Sequence, residues 1–158
     1  VDLQTGKERW QLTFKTETVT EPVFHGGTVY IAAHDANALL ALDAKTGQER
    51  WRYGLVAREF PRNLLAIASG VYGAGDRLYG VNRETGRELW RPIELRRIIN
   101  EKPRVFTVRR LIDAGSTLVA PIRSNRDSAL VGFDKASGEV IWAVRRPVPA
   151  PLALPLSL

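Results

Sequence analysis

The sequence contains no cysteine and no methionine. Without thiols this stretch can form neither a disulfide nor a thiolate-ligated metal site. The lack of any methionine, an initiator included, leads to the expectation of a piece of a longer protein. Histidine is scarce, with His25 and His34 the only two. About six strand residues separate them, and at ~3.3 Å each the imidazoles would stand ~20 Å apart. That is too far to share one metal ion. No run approaches the ~20 apolar residues of a membrane-crossing helix, so no membrane span is expected. Gly73-Ala74-Gly75 is followed by Leu78 where a dinucleotide fingerprint would need glycine, and it reads as a hairpin turn. A phosphate-binding loop, a Gly-x-Ser-x-Gly nucleophile motif and a calcium loop of alternating acids are all missing. The sequence thus offers no catalytic residues and no metal ligands, and the chain is expected to be non-catalytic.

What is present is a motif that occurs four times. Its copies are Asp2 to Trp10, Asp43 to Trp51, Asn82 to Trp90 and Asp134 to Trp142. The chain has four tryptophans, and each closes a copy. Apolar residues such as Ala38 to Leu42 lead in, which suits an incoming strand. Asp2, Asp43, Asn82 and Asp134 can bond their own backbone two residues on and start a turn. Gly6, Gly47, Gly86 and Gly138 suit a left-handed residue in a bulged hairpin turn. Each copy therefore reads as a hairpin whose outgoing strand carries a tryptophan with a structural role.

Successive tryptophans are 41, 39 and 52 residues apart. A period near ~40 residues with about four strands per unit is the spacing of β-propeller blades. The expected fold is an all-β, partial β-propeller: three complete four-stranded antiparallel blades with blade remnants at both ends. Residues 1–14 would hold the outer strand of a preceding blade, Glu8 to Phe14. Blades are expected over 17–53, 60–92 and 104–146, with 147–158 a linker or the start of a next blade. The second blade's outer strand is placed at Arg87 to Arg91, and the third blade's inner strand at Val105 to Ile112. Turns are expected at Asp113 to Gly115 and Ser124 to Asp127. The third period carries about 11 extra residues, in Pro92 to Pro103. There Leu95, Ile98 and Ile99 have the spacing of one or two helical turns. Three blades cannot close a ring of the usual four to eight, so the arc should expose apolar faces, self-associate, or belong to a larger propeller.

The pattern Ala-x-Asp-x-x-Thr-Gly-x-x-x-Trp, met in full from Ala41 to Trp51, resembles the tryptophan-docking repeat of quinoprotein-type (pyrroloquinoline quinone-type) β-propellers. The third copy departs with Gly80 and Asn82, the fourth with Gly132 and Ser137. The resemblance implies that each tryptophan packs between adjacent blades, and it implies a periplasmic or extracytoplasmic setting. It leaves two functions open. One is a binding or scaffold module for protein interaction or ligand sensing. The other is a fragment of an alcohol or sugar dehydrogenase dependent on pyrroloquinoline quinone and calcium. Such enzymes need a calcium site, a catalytic aspartate and commonly a Cys pair; no acid here maps onto those positions, so no cofactor is expected.

The formal charge is +6, from 23 basic and 17 acidic residues. It concentrates between Arg91 and Arg110, where Arg91, Arg96, Arg97, Lys102, Arg104, Arg109 and Arg110 face only Glu94 and Glu101. This segment is either a solvated loop or a partner surface. Its single aromatic, Phe106, gives nucleic-acid bases little to stack on, so a protein partner is expected before nucleic acid. The missing blades of a parent chain are a further expected partner.

Overall fold

The computed structural model describes residues 5–15, 20–34, 36–56, 60–99, 107–123 and 127–147. Three antiparallel sheets follow one another along the chain. The first comprises β1 (Val23–His25), β2 (Thr28–Ala33), β3 (Ala38–Asp43) and β4 (Glu49–Gly54), paired in sequence order. The second comprises β5 (Asn63–Ile67), β6 (Gly70–Ala74), β7 (Arg77–Val81) and β8 (Ile93–Glu94), again in order. A short helix, α1 (Leu95–Ile99), follows directly. The third comprises β9 (Thr107–Val108), β10 (Ile112–Ala114), β11 (Thr117–Arg123), β12 (Asp127–Asp134) and β13 (Val140–Pro147). Both β9 and β10 pair with β11. The chain is an all-β partial propeller, and its sheets do not close into a barrel.

Strand alternation sends successive residues to opposite faces, and both faces of the inner sheets are apolar. Tyr30, Ala32, Leu39 and Ala41 of the first sheet pack with Trp51 and Tyr53 against Val71, Tyr79 and Val81 of the second. The opposite face of the second sheet, with Tyr72, Ala74 and Leu78, meets Leu118, Ala120, Val131 and Phe133 of the third. Leu95 of α1 is wholly buried in that same layer. The far face of the first sheet, with Ile31, Leu40 and Leu42, lies under Trp10 and Phe14. The core is therefore a series of layers, each shared by two neighbours.

Four expectations are corrected. Glu8 to Phe14 forms no strand, because among the described residues no strand lies beside it to complete a ladder; its side chains dock onto the first sheet instead. Arg87 to Arg91 contributes a single bridge, Val81 to Glu88, and the fourth strand of that sheet is β8. The third sheet's inner strand is split in two. Val108 pairs with Ile122 and Ile112 with Val119, so Arg109, Arg110 and Leu111 face only Ala120 and Pro121. One extra residue bulges the strand, opposite a proline that has no N–H to give to a ladder. The turn expected at Asp113 to Gly115 sits later, since Asp113 and Ala114 remain in β10. The helix expected between Pro92 and Pro103 is present as α1. The turn residues 124–126 and the segment 148–158 lie outside the described residues.

Candidate functional site

Turn chemistry fixes the motif copies first. Asp43 Oδ1 accepts the N–H of Lys45 at 2.9 Å, the N–H of Thr46 at 2.9 Å and the Thr46 hydroxyl at 3.1 Å. Asp134 accepts the matching groups of Ala136 and Ser137. Asn82, uncharged, does the same with Glu84 and Thr85. Arg50 adds a 2.6 Å ion pair to Asp43 Oδ2. That guanidinium, with the N–H groups of Thr46 and Lys45, holds the Asp43 carboxyl well below the usual carboxylate range. The N–H and hydroxyl of Ser137 lower Asp134 in the same way. The glycine that ends each turn is left-handed, at φ 73° for Gly47, 69° for Gly86 and 76° for Gly138.

Each tryptophan then lies on the turn of the following copy. The Nε1–H of Trp10 donates to the carbonyl of Ala44 at 3.0 Å, that of Trp51 to Arg83 at 2.9 Å, and that of Trp90 to Lys135 at 3.2 Å. The acceptor is in every case the residue after the motif's Asp or Asn. A methyl group on Gly47 would stand 2.6 Å from the Trp10 ring, and one on Gly86 would stand 2.7 Å from Trp51. Glycine is thus required there for close approach as well as for φ. Behind the Trp51, Trp90 and Trp142 rings lies the sheet of their own copy. Trp51 pairs with Ala41 across the ladder and sits 5.8 Å from Tyr30, centroid to centroid. Where Gly80 and Gly132 replace that alanine, a Cβ would collide with Trp90 and Trp142. Tyr53 adds a polar tie: its hydroxyl donates to Glu88 Oε1 at 2.6 Å, and burial together with that carboxylate raises its pKa.

The basic segment is not one patch. Arg91 is exposed, and Arg97 is exposed at α1, paired with Glu94 at 2.5 Å. Glu94 also takes Arg77 at 2.9 Å. Arg96 lies on α1, while Lys102, Arg104 and Asp2 lie outside the described residues. Arg109 and Arg110 are carried elsewhere by the strand bulge, to the inner edges of the sheets. There they line a groove of about 690 Å³ with Arg62, Asn63, Glu21 and Val23. Asn63 spans two sheets at its floor, donating from Nδ2 to the carbonyl of Val108 at 2.7 Å. Arg62 escaped the sequence reading because it is 47 residues from Arg109 in the chain; only the stacking of inner strands brings them together. His25 ends β1, and His34 sits 5.1 Å from the Phe60 ring.

A family model described as outer membrane protein assembly factor BamB, of the PQQ-like repeat type, matches residues 1–91 and 58–157. No curated protein matches the chain. Among solved structures, a europium-containing methanol dehydrogenase is similar at TM-score 0.64 and 18% identity over 84% of this chain and 26% of its own. The quinohemoprotein alcohol dehydrogenase of Comamonas testosteroni matches at 0.61 and 18%, over 80% of this chain and 20% of its own. BamB from Moraxella catarrhalis matches at 0.58 and 18%, over 75% and 34%. The chain spans about a third or less of each of these proteins. With a repeat model matched along nearly its whole length and a partial propeller as its fold, the chain belongs to the PQQ-like repeat family.

Proposed function

We propose that this chain is a non-catalytic binding module that takes an extended, acidic segment of a protein partner along the inner edges of its sheets. The observation that supports this reading is the groove where, among the described residues, Arg62, Arg109 and Arg110 stand against one acid, Glu21. Guanidinium groups suit carboxylates because their planar fork can bond both oxygens. The groove runs along β1 and β5, the first strands of their sheets, and among the described residues neither pairs with a strand on its other edge, the kind of edge to which an extended segment can add. A role in holding other proteins is in keeping with a family described by an assembly factor. The same kinship favours an extracytoplasmic setting; recovery of the parent protein from the cytosol would overturn that part.

Fluorescence anisotropy tests the binding reading with a labelled oligo-glutamate peptide. Saturable binding that weakens with added salt is expected. It should fall sharply in an Arg109→Ser, Arg110→Ser double variant. Equal binding of oligo-lysine, or no effect of the double variant, would overturn it. Stronger binding of a single-stranded oligonucleotide would point to nucleic acid instead. Saturable uptake of calcium and pyrroloquinoline quinone in calorimetry would favour the dehydrogenase reading over the binding module.

A further inference from the structure

The groove of the proposed binding site carries its charges in order. The segment leading into β1 gives it Glu21, and the one leading into β5 gives it Arg62. The strand between β9 and β10 gives it Arg109 and Arg110. The second sheet lies between the other two. The charges therefore run from an acid on the first sheet, through one arginine, to a pair of arginines on the third. All four residues are exposed, and among the described residues none is ion-paired. Val23, Leu64 and Leu111 add apolar lining between them.

In a regular strand, neighbouring side chains leave on opposite faces. The extra residue between β9 and β10 lets Arg109 and Arg110 both line the groove. The pair is held on either side: the carbonyl of Val108 accepts from Asn63 Nδ2 at 2.7 Å, and Leu111 is buried. The groove also lies where blade packing leaves room. Propeller blades stand around a central channel, and the groove follows the first strands of successive sheets. Those sheets stack through their faces, so a further blade would cover a face and leave these edges open.

Resting on the binding reading above, we infer that the segment this groove takes is dipolar and lies in one direction only. Its acidic end meets Arg109 and Arg110 on the third sheet, and a basic residue at its other end meets Glu21. A uniformly acidic segment would instead set a carboxylate against Glu21. Packed sheets stand ~10 Å apart, so the path from the first to the third is up to ~20 Å, or about six residues of extended chain. The segment therefore carries its acids and its base about six residues apart, with apolar side chains between to lie on Val23, Leu64 and Leu111. Charge complementarity of this kind fixes register and direction more than it adds affinity.

Fluorescence anisotropy at low ionic strength tests this with labelled peptides of equal length. One has two glutamates at one end, valine and serine between, and a lysine about six residues on. Its control has serine for the lysine, and both are made in either chain order. The chain's net charge of +6 alone would favour the lysine-free control. In one chain order the dipolar peptide should nevertheless bind more tightly, by roughly two- to fivefold, the size of an exposed ion pair. That preference should vanish in Glu21→Gln and reverse in Glu21→Lys, both at an exposed position. Equal binding of the two peptides to the wild type would overturn the dipolar assignment and leave the acidic-segment reading standing. So would a preference that survives Glu21→Gln. Failure of every acidic peptide to bind, oligo-glutamate included, would overturn the underlying reading and this inference with it.

Discussion

Trp51 makes two contacts that no smaller side chain reproduces: a hydrogen bond to Arg83 and ring packing on Gly86. It also shares the layer between the first two sheets with Tyr30 and Tyr79. Trp90 does the same one sheet further on, beside Tyr72. Truncation to alanine leaves a cavity in a shared layer and removes the indole hydrogen bond to the next turn. We therefore expect Trp51→Ala and Trp90→Ala each to cost about 3 kcal/mol or more, at the level of buried aromatic truncations. Urea unfolding followed by far-ultraviolet circular dichroism measures this. Losses below about 1 kcal/mol at both sites would mean that the rings are dispensable to packing. At this scale much was legible, because tryptophan occurs nowhere outside the motif. The partner of each ring was not, since the turn it meets is about one repeat away in sequence.

Among elements, the second, third and fourth turns share one set of bonds but differ in the charge of the residue that accepts them. Asp43 and Asp134 are ionised and held below their ordinary range, while Asn82 makes the same bonds without titrating. A carboxyl lowered by folding stabilises the fold above its unfolded pKa of about 3.9 and loses that contribution as pH falls towards its folded value. Acid should therefore loosen the second and fourth turns while sparing the third. In nuclear magnetic resonance spectra, the amide signals of Thr46 and Ser137 should hold through the ordinary carboxylate range near about pH 4 and shift only below it, and that of Thr85 should stay. An equal response at all three would refute this assignment. These turns were readable because their bonds are local. The strands after them were less so. Ala41 pairs with Trp51 but Leu42 with Glu49, and Gly132 pairs with Trp142 but Phe133 with Val140. Each ladder thus skips a residue, Arg50 or Ile141, just before the tryptophan. Hydrophobic alternation carries no sign of such a slip. Nor could it show that the third copy would leave its ladder after Glu88 and resume pairing only at β8.

Across the whole molecule, cover is uneven. The second sheet has a neighbour on both faces, and Val71, Tyr72, Leu78, Tyr79 and Val81 are at most 1% exposed. Among the described residues the third sheet has a neighbour on one face, and β13 is exposed along Val140 to Arg145. Local opening is cheapest where few apolar contacts must be broken. In dilute solution, hydrogen exchange should be slowest in β6 and β7 and fastest in β13. Uniform protection across the three sheets would show that they open only as one unit. Repeat proteins with nearest-neighbour joints are stabilised joint by joint, and here each repeat carries one half of either kind, a turn for the joint before it and a tryptophan for the joint after it. The turn that receives and the tryptophan that inserts lie within nine residues of each other, as from Asp43 to Trp51. A duplication or deletion of one unit in the gene therefore carries a matched plug and socket with it. The neighbours on either side meet the same surface as before, and blade number can change over evolutionary time without any joint having to be reinvented.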